Sequence, residues 1–315
     1  MTNDKGRIMT RNEIEERHAR RRWRKTVYVI PSLITTANIF CGFYSIMESL
    51  LGVQSLSVGQ ADAATEHFNR AAINIGFATL FDFLDGSIAR LTRATSEFGI
   101  ELDSIADVLS FGIAPALLAY SWGYGQVGGL HKLGWAASFI FVICGALRLA
   151  RFNVQARNPN PKLPPKNPKD KKAFVGMPIP AGASLVAAIV HFTPTPIAHK
   201  RGLEFSIFGQ HMTIDGMAYG VALLAMMFCL SMLMVSTIRY SSLKNIGSTN
   251  YHPRVLILAI ALMVLLIWFY SQWTLLVIAV FYSSHGVVLK LWSMIRPRRH
   301  EPERAELELG PHPRA

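Results

Sequence analysis

At 315 residues the chain has room for one large domain or two small ones, so composition decides more than length. Apolar residues make up 51% and charged residues 17%, against about 25% charged in an average soluble protein, and the charges cluster between long apolar stretches as in a polytopic membrane protein. The net charge of +12 tracks the ends of those stretches, which points to anionic membrane lipids and sets nucleic acid aside as a partner.

The first 25 residues are polar and basic with no short apolar core, so no cleavable signal is expected and the first span acts as its own insertion signal. Within them, residues 11–25 alternate Glu13, Glu15 and Glu16 with Arg17, Arg20, Arg21, Arg22 and Arg24 around Ile14 and Trp23. That pattern fits an interfacial helix on the inner leaflet or a plain basic tail. Eight spans near the length of about 20 residues that a bilayer requires follow at 31–51, 71–88, 99–120, 133–152, 178–194, 216–237, 255–270 and 273–292. The 158–172 connection carries five prolines among lysines and is expected to be a solvated loop, and the Pro-, Glu- and Arg-rich stretch 296–315 a disordered cytoplasmic tail. The layout expected is an arm over 1–25, a transmembrane domain over 26–295 and that tail.

Lys and Arg set the orientation. With eight spans and a cytoplasmic N-terminus, 28 of the 32 basic residues fall inside, leaving Arg70, Lys132, Lys200 and Arg201 outside. The fold class expected is therefore all-α, with about eight transmembrane helices and both termini cytoplasmic. The three cysteines, Cys41, Cys144 and Cys229, lie in apolar segments without metal-like spacing and read as small buried hydrophobes. His191, His252 and His285 read as structural.

The chemistry concentrates in 81–115. Asp82 and Asp85 are three apart near the end of the second span, and Asp103 and Asp107 four apart at the start of the third. On helices each pair shares a face, and a short basic turn returns the two helices side by side. One ionised residue in a spanning helix costs about 2.5–3.5 kcal/mol, and four like charges also repel, so the cluster needs counter-ions. Carboxylates without His or Cys select hard cations, Mg²⁺, Mn²⁺ or Ca²⁺, over zinc, and the cofactor expected is two divalent cations, Mg²⁺ or Mn²⁺. Four of them suit two metals about 3.5–4 Å apart, the arrangement that clamps both oxygens of a phosphoryl displacement. Gly86 and Gly99 leave room for a bulky ligand, Ala89 shares the face of Asp82 and Asp85, and Arg90 can fork onto a diphosphate oxygen. Singly, each Gly fits helix packing and each Arg fits flanking charge; as a spaced set they read as a site.

Asp82-x2-Asp85-Gly86-x2-Ala89-Arg90-x8-Gly99-x3-Asp103-x3-Asp107 resembles the signature of the CDP-alcohol phosphatidyltransferases at all eight positions. The resemblance implies a CDP-linked lipid donor, CMP as leaving group, metal ligation mainly by the first three aspartates, and proton abstraction from the attacking hydroxyl by Asp107. It also implies that Gly86, Ala89, Arg90 and Gly99 shape the nucleotide site and that the protein is a homodimer.

Three stretches further resemble the membrane-embedded phosphatidylserine synthases: Ile30–Gly42, Cys144–Asn153 and Phe174–Ala181. CDP-diacylglycerol and L-serine are then the expected substrates, in the inner (cytoplasmic) membrane with the site facing the cytoplasm. A serine carboxylate wants an arginine fork, and Arg148 and Arg151 are placed to bind it or the lipid diphosphate. Asn38, a polar group inside the first span, is assigned to the donor phosphates. Residues 174–180 are expected to form a kinked entry to the fifth span that walls the site. Glycerol phosphate, inositol phosphate or choline as acceptor stays open, and a cation transporter is the rival of another class. Transport fits poorly, because the carboxylates gather at one face and no repeat is present.

Overall fold

The computed structural model describes residues 11–92, 97–157, 173–197, 203–207, 210–241 and 253–295. Helix α1 runs over Arg11–Ser57, α2 over Ala61–Thr92 and α3 over Glu97–Asp107. The chain continues from α3 through a π turn at Val108–Ile113, α4 at Ala114–Leu118, a second π turn at Ala119–Gly123 and a 3-10 turn ending at Gln126. Then come α5 (His131–Arg157), α6 (Ile179–Phe192), α7 (Gly216–Val235) and α8 (Pro253–Ile295). Four short strands form two antiparallel ribbons between helices, where an all-α chain was expected: β1 (Ala173–Val175) with β4 (Arg239–Ser241), and β2 (Leu203–Ile207) with β3 (Gln210–Ile214). Residues 158–172 and the tail 296–315 lie outside the described residues, as does His252.

Six helical stretches are long and apolar enough to cross a membrane: Ser32–Ser57, Ala61–Ile88, Glu97–Gln126, His131–Gln155, Gly216–Val235 and Ala261–Gly286. Large apolar side chains point away from the bundle, among them Trp268 at 83% exposure and Phe98 at 71%, as expected where lipid is the solvent. The protein is membrane-embedded and helical. Helix α6, at 14 residues, is the shorter apolar helix matching the fifth expected span. The last two expected spans share α8, whose backbone leaves the helical region at Tyr270 (φ −134°, ψ 45°), beside the expected break.

Two boundaries differ from the hydropathy reading. The first span and the basic segment from Arg11 form one unbroken helix of 47 residues. The second helix begins ten residues earlier than expected, because its polar first turns are paired. Arg70 donates to Glu66 one turn away, and His67 Nδ1 lies 2.7 Å from buried Glu48 on α1.

A small residue brings α1 against the segment that follows the α3 aspartates. A Cβ on Gly42 would strike the Ser110 hydroxyl and stand 2.8 Å from Ser110 Cα, so α1 touches the π turn backbone to backbone. That turn is wide because Ala114 N–H bonds Leu109 O, five residues back, and Pro115 just beyond has no N–H to offer. At the far end a polar clasp joins three helices: His191 on α6 meets Asn69 Oδ1 on α2 at 2.7 Å and Ser271 Oγ on α8 at 2.9 Å. His191 is thereby satisfied on both ring nitrogens. Cys41 and Cys144 are buried as expected, but Cys229 is exposed on the outward face of α7, where an apolar surface accepts a thiol without cost.

Residues 173–178 form the expected entry to α6. Strand β1 pairs with β4, Gly176 N–H bonds Ile238 O at 2.8 Å, and Met177 N–H bonds Leu233 O at 3.1 Å. Gly176 takes φ +83° against the Met234 carbonyl, a position without space for a side chain.

Candidate active site

The aspartates gather where α2 turns into α3. Asp82 and Asp85 lie on α2 near its end, Asp103 and Asp107 on α3. One carboxylate oxygen each from Asp82, Asp103 and Asp107 lies within 4.8 Å of the others, an arrangement that can hold a metal ion. Asp85 stands slightly apart. It is buried and accepts a hydrogen bond from Thr35 Oγ1 on α1, yet stays an electrostatic neighbour of Asp82, Asp103 and Asp107. Three of the four carboxylates thus gather in one group, while the fourth, Asp85, is tied to a third helix.

Buried polar atoms without a hydrogen-bond partner mark the same region. Among the described residues they include both ends of the Asn38 amide, Asp107 Oδ1 and Arg148 Nε. Asn38 is 1% exposed and Asp107 9%. Leaving such a group unpaired costs about 1–3 kcal/mol, which a bound ligand would recover. Ser110 Oγ donates to Asn38 O at 3.0 Å, so Asn38 lies against Ser110, which follows Asp107 by three residues. Oxygen donors packed this closely, with lone pairs left open, fit hard divalent cations.

Arg148 on α5 is half-buried and is an electrostatic neighbour of Asp107, whereas Arg151, three residues on, is exposed. The two arginines are thus separated by environment, and Arg148 is the one turned to the aspartates. From the same stretch, Asn153 Nδ2 donates to Ser104 Oγ at 2.8 Å, tying α5 to α3 beside Asp103. Gly86 is exposed, and a Cβ there would meet nothing within 4 Å, so its face of α2 is open to a ligand. Gly99 is half-buried in the first turn of α3. Ala89 and Arg90 lie on the last turns of α2, and their side chains lie outside the described residues.

Sequence reasoning missed Thr35, Ser110 and Tyr282. Thr35 is three residues before Asn38 and so shares its helix face, a signal available once α1 is known to be helical there. Tyr282 on α8 is an electrostatic neighbour of Arg148 and had no motif to announce it.

An all-helical membrane bundle with carboxylates from two adjacent spans converging at one end defines a class of intramembrane acidic-site enzymes. Residues 28–218 match the CDP-alcohol phosphatidyltransferase family, and the chain belongs to that family. It is 32% identical over 271 residues to a CDP-diacylglycerol–serine O-phosphatidyltransferase of Helicobacter pylori, covering 86% of this chain and 94% of that one. Proteins of the same name from Bacillus subtilis and Saccharomyces cerevisiae are 39% identical over 170 residues and 38% over 183. These matches cover 53% of this chain with 78% of the bacterial protein, and 58% with 60% of the yeast one.

Proposed function

We propose that the protein transfers the phosphatidyl group of CDP-diacylglycerol to L-serine, giving phosphatidylserine and CMP. The observation that carries this is the convergence of Asp82, Asp103 and Asp107 beside buried polar atoms that have no protein partner. The serine acceptor is supported by relatives of that name across bacteria and yeast.

Asp82, Asp85, Asp103 and Asp107 would hold two divalent cations, Mg²⁺ or Mn²⁺, with Thr35 orienting Asp85. Bound there, the cations supply charge neutralisation for the diphosphate and for the departing CMP. Asn38 turns its amide to the donor phosphates, and the open face at Gly86 admits the nucleotide, flanked by Ala89, Arg90 and Gly99. Asp107 takes the proton of the serine hydroxyl through its unpaired Oδ1. The serine oxygen then bonds the lipid-side phosphorus as the bond from that phosphorus to the CMP oxygen breaks, in one in-line step. Arg148 grips the serine carboxylate from α5. Arg151, being exposed, serves anionic lipid or substrate at the surface.

Eight crossings with both termini cytoplasmic follow if α6 spans and α8 doubles back at Tyr270. The active site then opens to the cytoplasm at the inner leaflet of the cytoplasmic membrane, where the acyl chains of the donor stay in lipid. Residues 1–25 would act as a basic arm on anionic lipids, 296–315 as a cytoplasmic tail, and the working unit would be a homodimer.

An acceptor panel tests the substrate. Purified protein with CDP-diacylglycerol and Mn²⁺ should release CMP with serine and remain near background with glycerol phosphate, an inositol compound or choline. CMP release with one of the others, and none with serine, would move the acceptor and leave the family chemistry standing.

A further inference from the structure

Two hydroxyl bonds fasten α1 at the active site, one to each neighbouring element. Thr35 donates to Asp85 on α2, and a turn further along the Asn38 carbonyl accepts from Ser110 Oγ at 3.0 Å. Thr35 and Asn38 are three residues apart and share a face of the helix. Thr35, Asn38 and Ser110 are all buried, so water does not compete for either bond.

Gly42 makes the Ser110 bond possible. In a helix the Asn38 carbonyl takes the N–H of the residue four on, which is Gly42. A Cβ there would stand 2.8 Å from Ser110 Cα. Its absence lets the π turn approach until the hydroxyl reaches the second lone pair of that carbonyl. The turn is wide, with Ala114 N–H returning to Leu109 O, and such turns recur at functional sites.

What hangs from the held backbone is the Asn38 amide. Both of its ends are buried without a protein partner, so a ligand is all it has to bond. The amide moves with its helix, and a misplacement of about 1 Å is enough to cost binding geometry. The Ser110 bond acts on the backbone of Asn38 itself, and the Thr35 bond fixes α1 one turn before it.

We infer that Ser110 is a positioning residue for the lipid donor: its hydroxyl holds the Asn38 backbone and so aims the Asn38 amide at the diphosphate. This role rests on the reading of Asn38 as a ligand of the donor phosphates. The ligand class served is a diphosphate-linked lipid, whose oxygens accept from the amide N–H groups.

The test is a double-mutant cycle of Ser110→Ala and Asn38→Ala in the full-length protein. Asn38→Ala removes the amide but keeps the backbone carbonyl, so the Ser110 bond survives in it. The readout is Kd for CDP-diacylglycerol in detergent with Mn²⁺ and no acceptor, measured by calorimetry, so the identity of the acceptor does not enter. Ser110→Ala alone should weaken donor binding ~5-fold, as expected for loss of one neutral hydrogen bond. In the Asn38→Ala background the same change should shift Kd less than ~2-fold. Ser110→Cys, close in size but a weaker donor, should fall between wild type and Ser110→Ala. In turnover, KM for serine should stay within about twofold in Ser110→Ala, because the acceptor does not meet this amide. An unchanged Kd in Ser110→Ala overturns this role. So does an equal loss in both backgrounds, which would make Ser110 a general packing residue. If Asn38→Ala binds the donor as wild type does, the reading of Asn38 fails, and the role of Ser110 with it.

Discussion

Asp85 differs from the other three aspartates by the hydroxyl it accepts. Thr35 holds it from a separate helix, and outer partners of metal-binding carboxylates commonly matter 10–100-fold in metal affinity. Thr35→Val should therefore raise the Mn²⁺ concentration for half-maximal CMP release by ~10-fold, with stability little altered; an unchanged titration would deny Asp85 a place in the site. The aspartates were legible in the sequence because charge inside a span is costly and so conspicuous. Hydroxyls were not. Ser49, Thr65 and Ser231 all bond a carbonyl four residues back on their own helices, the default for Ser and Thr in helices. Nothing in composition separates these from Thr35 and Ser110, which reach across to other helices.

At the scale of elements, contact distance decides which glycines are structural. Gly42 lies against the Ser110 backbone, and Gly176 takes a positive φ against the Met234 carbonyl. Gly42→Ala and Gly176→Ala should each destabilise the protein by about 1–3 kcal/mol, read as a lower melting temperature in detergent. Gly86→Ala should do the opposite. Its Cβ meets nothing, and Ala is favoured over Gly within a helix by about 1 kcal/mol. Melting should hold or rise while KM for CDP-diacylglycerol increases several-fold; an unchanged KM would remove Gly86 from the nucleotide face. Helix existence was readable from hydropathy, but starts were not. The polar first turns of α2 are helical because Glu66 pairs with Arg70 one turn on and His67 with Glu48 on α1, and neither kind of pairing leaves a trace in a sliding average of hydropathy. The strands in the connections were invisible for a similar reason, since each is at most five residues and pairs only locally or across distant sequence.

The whole molecule has its polar chemistry at one end and its clasp at the other. Orientation follows from the basic residues, 28 of 32 on one side if the chain crosses eight times. In a background lacking the native cysteines, Glu97→Cys should react with a membrane-impermeant thiol reagent only from the cytoplasmic side of sealed vesicles. Lys132→Cys, at the other end of the following hairpin, should react only from outside; the reverse pattern would invert the topology. Both positions are exposed in the structure.

The most direct measurement counts two products in one tube. Purified wild type and Asp107→Asn are given CDP-diacylglycerol, labelled serine and Mn²⁺, and lipid-bound label and CMP are measured together. The wild type should give equimolar phosphatidylserine and CMP, and Asp107→Asn a rate at least ~100-fold lower, as expected for loss of a general base. CMP without labelled lipid, or equal rates from the two proteins, would contradict it.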